Sequence, residues 1–317
     1  MSNKTIFKLN ASGLKTSSCD HRIWLTMIDG YKSERSAAKM VYGVAVHKYI
    51  DTMFKTGGHI GKAREAAIAA FNKPKYEDKK SAHYMDQNHM LATSYDVWEF
   101  WITKDKDMDT VVLPDGQPAT EVSFSIGSYY EDEFIRVDLE GTIDRIGKIK
   151  NGVYVINDFK TTSSWDMRQY LAGYAMSSQM RYYVLALKLM SIAKPESALG
   201  QIGKTEVRYC IDGIFIKPRP SENVCVRSEV FPANDIQQVR DSLDDYIQHL
   251  SSITQRFIKT GRKPLRTGLF NGSCEGKWGL CPYAIACKAQ DESVAEVLLQ
   301  RDFIQKPYDP LHHQEEV

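Results

Sequence analysis

Between residues 119 and 162 three runs of period-two apolar alternation follow one another, "ATEVSFSIG", "FIRVDLEGTIDRIGKI" and "GVYVINDFKTT". Such alternation reads as strands joined by turns, which commits the middle of the chain to a sheet. The third run ends in Asp158-Phe159-Lys160. Residues i and i+2 of a strand share a face, so Asp158 and Lys160 project together. An acid and a base placed this way are often only a salt bridge, and their surroundings decide.

The turn before Asp158 determines whether a second acid joins the pair. A two-residue Asn151-Gly152 turn pairs residue 144 with 159 and puts Asp144 and Asp158 on opposite faces. A three-residue Lys150-Asn151-Gly152 turn pairs 144 with 158 and favours glycine at its left-handed third position, where Gly152 stands. That register gathers Asp144, Asp158 and Lys160 into one cluster. Asp138 and Glu140 share the parity of Asp144 and are alternatives to it. Two carboxylates at one site raise each other's pKa unless a cation joins them, and hard oxygen donors suit Mg²⁺ or Mn²⁺. Such an ion polarises a phosphoryl oxygen and turns water into hydroxide near neutral pH. A neighbouring lysine orients that water or offsets charge on the phosphate. These are the parts of a site for phosphodiester hydrolysis.

Around this sheet the spacing predicts helices. "SERSAAKMVYGVAVHKYIDTMFK" (33–55), "GKAREAAIAAFN" and "HYMDQNHMLATSYDVWEFWITK" (83–104) make the first third helical. A helix over "SSWDMRQYLAGYAMSSQMRYYVLALKLM" opens on Ser163 and Asp166, spaced as a capping pair. Two further strands, "EVRYCIDGIFIKP" and "NVCVRSEVF", precede a long helix from Pro232 to about Thr260. The pattern is α/β or α+β, a small central sheet packed by helices. "ALGQIGKT" (198–205) imitates a phosphate-binding loop, but Ala198 replaces its first glycine and a helix precedes it, so an ATPase is excluded.

The G-x-x-D of "GTID" followed by the D-x-K of "DFK" resembles the core motif of the PD-(D/E)xK nuclease superfamily. Two further features resemble its RecB-like branch: His47 in "YGVAVHKYID" and the Q-x-x-x-Y of Gln179 and Tyr183 in "SSQMRYYVLAL". Glu121 in "ATEVSF" matches an acidic position on the first strand of the sheet. The resemblance implies a restriction-endonuclease-like α/β core with a small mixed sheet flanked by helices. It implies a divalent ion on His47, Asp144, Asp158 and the main-chain carbonyl of Phe159. Lys160 would serve the attacking water, with Glu121 beside it, and Gln179 and Tyr183 would steer DNA. Taken singly, His47 reads equally as a core histidine, Gln179 and Tyr183 as helix packing, and Glu121 as a lysine partner.

"SCEGKWGLCPYAIACK" holds Cys274, Cys281 and Cys287, and Cys19 lies far upstream. One early and three late cysteines resemble the iron–sulfur subgroup of RecB-like nucleases, such as the AddB-type exonucleases and the CRISPR-associated end-trimming nucleases. The implied [4Fe–4S] cluster staples the two ends of the chain together. The six-residue gap between Cys274 and Cys281 is longer than in that subgroup, which leaves a Cys₄ zinc site open. Cys210 and Cys225 fall on strands and read as core.

With a net charge of +1, no global field draws in nucleic acid. The acid-free stretch "QRFIKTGRKPLR" supplies a local one: Arg256, Lys259, Arg262 and Lys263 are candidates for phosphate contact, or simply cations at a helix end. There is no membrane-length apolar run and no signal-like block near the start. Six cysteines in 317 residues do not make a disulfide framework, so a reducing cytosol is expected. The expected organisation is a helical region at 1–115, a nuclease core at 116–260, a cysteine region at 261–300 and a loose tail at 301–317. The function expected is an exonuclease on DNA, single-stranded or with free ends, with room for a helicase or recombination partner. A CRISPR-adaptation trimming nuclease and a DNA-binding adaptor subunit are the other readings.

Overall fold

The computed structural model describes residues 4–14, 18–33, 35–36, 38–72, 75–76, 85–104, 106–268, 272–276, 279–289, 291–309 and 311. His312, His313, Trp278 and the first two residues of the helix expected at 83–104 lie outside them.

The three alternating runs form strands. β1 is Thr5–Leu9, β2 Met108–Thr110, β3 Thr120–Glu131, β4 Ile135–Ile149, β5 Tyr154–Thr162, β6 Val207–Phe215 and β7 Val224–Arg227. The sheet runs β1-β4-β5-β6-β7, and β2 and β3 also pair with β4. It is mixed: β4 and β5 form an antiparallel hairpin, β5 and β6 are parallel, and β6 and β7 are antiparallel. A parallel pair needs a crossover, and the helices between β5 and β6 provide it. The fold is thus mixed α/β with a central mixed sheet flanked by helices. Sequence periodicity does not reveal β1, which pairs with β4 in parallel, Thr5 opposite Ile135 and Leu9 opposite Leu139.

The helices are α1 (Ala38–Lys55), α2 (Ile60–Asn72), α3 (Gln87–Lys104), α4 (Met167–Ala172), α5 (Ser178–Ala193), α6 (Ala198–Gly203) and α7 (Ile236–Thr260). The expected helix at 33–55 begins later, at Ala38, because Arg35–Ser36 is extended. The long helix expected from Ser163 is two. Asp166 alone caps α4, accepting the Gln169 N–H at 2.8 Å. A 3₁₀ turn at Gly173–Met176 ends it, and Ser177 caps α5 through the Met180 N–H. The phosphate-loop look-alike folds as α6, capped by Ser197.

By its contacts the chain divides into two compact units that do not follow contiguous blocks. One comprises Arg35–Phe124 and Thr142–Val239. Its core joins Tyr42, Val46, Tyr49 and Met53 of α1 to Ala63 and Ala67 of α2, Met90, Val97 and Trp101 of α3, and Phe159 and Ile214 of the sheet. The other gathers Met1–Glu34, Ser125–Gly141 and Arg240–His313. There α7 buries Leu243, Ile247, Leu250 and Ile253 on one stripe, and Leu25, Tyr31, Tyr283, Leu299 and Phe303 cluster. The tail expected to be loose from residue 301 is held for part of its length: Phe303–Gln305 pairs with Tyr31–Ser33, and the Tyr308 hydroxyl donates to Asn10 at 3.1 Å. Among the described residues no helix is long and apolar enough to cross a membrane.

Candidate metal centre

The β4–β5 hairpin has the three-residue register. Arg145 faces Asn157 and Lys148 faces Tyr154, so the next pair outward is Asp144 with Asp158. Gly152 closes the turn at φ +85°, its N–H bonding the Ile149 carbonyl at 2.8 Å. Asp144 turns one oxygen back to accept the Phe159 N–H at 2.8 Å. Asp158 lies 2.5 Å from the ammonium of Lys160, so the strand's shared face does bring acid and base together. From α5 the Gln179 amide donates to Asp158 at 3.2 Å and to the Tyr183 hydroxyl at 3.1 Å, as the i, i+4 spacing on one helix face allows.

His47 comes from α1. Its Nε2 bonds the Phe159 carbonyl at 3.0 Å, which leaves Nδ1 facing Asp144 at 3.6 Å and Glu121 at 3.8 Å. The helix reaches the strand closely because residue 43, one turn earlier, is glycine: a Cβ there would sit 2.9 Å from the Thr161 hydroxyl. Glu121 holds a backbone φ of +48°, in the left-handed region that an L side chain rarely occupies. Next to it the Thr120 hydroxyl donates to Asp51 at 2.7 Å, and Asp51 is paired with Lys55 at 2.8 Å. Asp51 follows His47 by four residues, so one face of α1 carries both the imidazole and the anchor for the strand bearing Glu121. That spacing was the available sequence signal for Asp51.

Among the described residues, His47, Glu121 and Asp144 alone bring three ligand atoms within 4.8 Å of one another. Of the expected set, His47 and Asp144 fall in this group together with Glu121, while Asp158 lies against Lys160 and the Phe159 carbonyl is bonded to His47 Nε2. Burial opposes charge on His47, but Asp144 and Glu121 outweigh it and raise its pKa to about 9. Burial pushes Asp158 up to about 6, Lys160 opposing and Asp144 adding to the rise. Burial also raises Asp144, against the pull of His47. Burial thus makes the charged forms of both aspartates costly, a condition that a bound divalent ion would relieve.

The other sequence candidates have their own surroundings. Asp138 accepts from Arg136 at 2.9 Å and from the Ser128 N–H at 2.7 Å, and Glu140 lies 3.5 Å from Lys8. Arg256, Lys259 and Arg262 are exposed, whereas Lys263 is paired with Asp29 at 2.8 Å. Cys19, Cys274, Cys281 and Cys287 form no disulfide and lie in one unit. Gly268 lets two of them approach, since a Cβ there would stand 3.2 Å from Cys19 Cβ and 3.2 Å from Cys274 Sγ. The Cys281 N–H bonds the Cys274 carbonyl at 2.9 Å. Burial pushes the Cys287 thiol up to about 11; Arg266 opposes this, and Cys281, Cys19 and Cys274 add to it. Cys210 is buried on β6, as expected of a core residue.

A family model for the PD-(D/E)XK nuclease superfamily matches residues 9–288. Solved structures match as well, among them "Crystal structure of SSO0001", which aligns over 88% of this chain and 96% of its own at 14% identity with a TM-score of 0.28. No curated protein matches.

Proposed function

Because the chain belongs to the PD-(D/E)XK nuclease superfamily, we propose that it is a divalent-metal-dependent deoxyribonuclease of the RecB-like type, an exonuclease acting at free DNA ends in recombination, repair or end processing. The observation that carries this reading is the convergence of His47, Glu121 and Asp144 within 4.8 Å, with the Asp158–Lys160 pair on the adjoining strand. The carboxylate donors of Glu121 and Asp144 suit Mg²⁺ or Mn²⁺. The bound ion would polarise a phosphoryl oxygen and supply hydroxide near neutral pH.

The chain's own residues do the rest. Asp144 is oriented by the Phe159 N–H and His47 by the Phe159 carbonyl, so one residue's backbone fixes two donors. Lys160 carries a mobile ammonium on a flexible stem, able to leave Asp158 for the attacking water or for the phosphate oxygens. Gln179 ties one oxygen of Asp158 to the Tyr183 hydroxyl, and the two α5 side chains would steer the substrate strand.

The four thiols of Cys19, Cys274, Cys281 and Cys287 fit a [4Fe–4S] cluster by donor set, with Zn²⁺ as the competing occupant. The approach of Cys19 and Cys274 over Gly268, and the smaller additions of Cys281, Cys19 and Cys274 to the burial-driven rise of Cys287, support a common site. Its role would be structural, since phosphodiester hydrolysis moves no electrons.

The test is release of nucleotides from end-labelled single- and double-stranded linear DNA by anaerobically purified protein with Mn²⁺, Mg²⁺ or EDTA. Cleavage that needs the metal and disappears in Asp158→Ala and Lys160→Ala is expected. Folded protein that binds Mn²⁺ yet leaves both DNAs intact would sink the enzyme and favour an adaptor. Iron, zinc and acid-labile sulfide contents of the same preparation separate the two occupants of the cysteine site.

A further inference from the structure

Trp24 and Trp101 are buried, as bulky apolar side chains favour, but Trp165 is 79% exposed. It stands three residues past the end of β5, the strand that carries Asp158 and Lys160. β6 runs parallel to β5 and leaves the sheet at the same end, the Ile216 N–H still bonding the Thr162 carbonyl at 2.7 Å. Lys217 therefore arrives beside the loop. Its ammonium lies 4.2 Å from the centre of the indole and donates to the Ser164 carbonyl at 3.3 Å. One lysine thus fixes both the loop backbone and one face of the ring.

Three rings, Phe215, Tyr170 and Tyr174, pack in sequence near this end of the sheet. Phe215, two residues before Lys217, meets Tyr170 with centroids 5.6 Å apart, and the hydroxyls of Tyr170 and Tyr174 are 3.1 Å apart. The Tyr174 hydroxyl is close enough to Asp158 to feel its charge: burial, the bond to Tyr170 and then Asp158 all raise its pKa. Arg168, three residues past Trp165, is exposed; Arg219 is paired with Glu222 at 3.1 Å, and Asp166, next to the indole in sequence, caps α4.

We infer that Trp165, backed by Lys217, is a nucleobase-stacking subsite for a single strand of DNA whose backbone leads to the Asp158–Lys160 site. An indole left in water is a standing loss of apolar burial. A nucleobase covers it regardless of sequence, and the ammonium beneath adds attraction for the neighbouring phosphate. The subsite rests on the nuclease reading above and supplies what that reading lacks, a grip on the strand that depends on bases rather than on phosphates alone.

The test is equilibrium binding of the full chain to a labelled single-stranded oligodeoxynucleotide in EDTA, where nothing is cut, beside the same oligonucleotide made abasic. Trp165→Ala is expected to weaken binding of the intact strand about 5- to 150-fold and leave the abasic strand unaffected, with Trp165→Phe restoring most of the loss. Lys217→Gln is expected to flatten the slope of log affinity against log salt by about 0.7. If wild-type protein cleaves DNA and Trp165→Ala binds the intact strand as tightly as wild type, the subsite is wrong and the nuclease reading stands. Equal weakening on the abasic strand also overturns stacking. A wild-type chain that neither cleaves nor binds a single strand removes both, and leaves the indole to a protein partner.

Discussion

Asp158 and Asp212 lie on adjacent parallel strands one register step apart, Asp212 opposite Phe159, and both are sealed from solvent. They are held in contrasting ways. Asp212 receives a two-pronged guanidinium from Arg227, 2.7 Å at each oxygen, and the Trp101 indole N–H at 2.9 Å. Asp158 receives one weak amide donor at 3.2 Å and a lysine ammonium at 2.5 Å, with the carboxylate of Asp144 nearby. A planar fork fixes a carboxylate in one orientation; a point charge on a flexible stem does not. On one face of the sheet the acid belongs to the architecture, and on the other it is kept available.

The comparison breaks first, if it is wrong, on stability. Arg227→Ala strands Asp212 as an unpaired buried charge and should cost about 3–5 kcal/mol in chemical denaturation. Asp158→Asn should cost little or stabilise at neutral pH while abolishing cleavage. A comparable loss in both variants would make Asp158 architectural too.

Proton linkage sharpens the same contrast. The pKa of Asp158 rises from 3.8 to about 6 on folding, so the folded state binds the proton more tightly. Its stabilising contribution is complete below the lower value and is lost as pH rises through about 6. Metal-free wild type should therefore lose stability relative to Asp158→Asn between about pH 4 and 6, read as a difference of two denaturation series. Curves that stay parallel through that window would contradict the strained acid.

A smaller effect tests placement. Gly43→Ala drives α1 from Thr161 and carries His47, one turn along, with it. Cleavage should fall about 10- to 100-fold through misplacement of the imidazole, with Mn²⁺ affinity falling alongside; unchanged affinity would separate His47 from the metal. The smallest expected change is a gain. Glu121→Gly relieves the left-handed backbone and should add up to about 1 kcal/mol of stability while cleavage is lost. A net loss would mean that the glutamate side chain supports the strand rather than straining it.

Much of this site could be read before folding. The period-two runs placed β3, β4 and β5, and Gly152 selected the hairpin register that sets Asp144 against Asp158. Both inferences use neighbours in sequence, where alternation and turn geometry act directly. What escaped depends on distant partners. β1 is five residues whose pairing partner lies more than a hundred residues away. No residue near Glu121 signals a positive φ, since glycine or asparagine is the usual mark and Glu121 is neither. The break after α4 was masked because Tyr170, Tyr174 and Tyr183 keep the apolar count of one long helix. Lys263 pairs with Asp29, more than two hundred residues away, which no local pattern signals.

The division of the chain also sets an order in time. The unit bearing the candidate metal site has its two main segments once Val239 has been made, whereas the other needs both Met1–Glu34 and Arg240–His313. At a synthesis rate of about 5–20 residues per second, Cys19 waits roughly 10–50 s on the ribosome before Cys274 is made. The unit with the candidate metal site can thus be assembled while the cysteine-bearing unit still lacks its later segment.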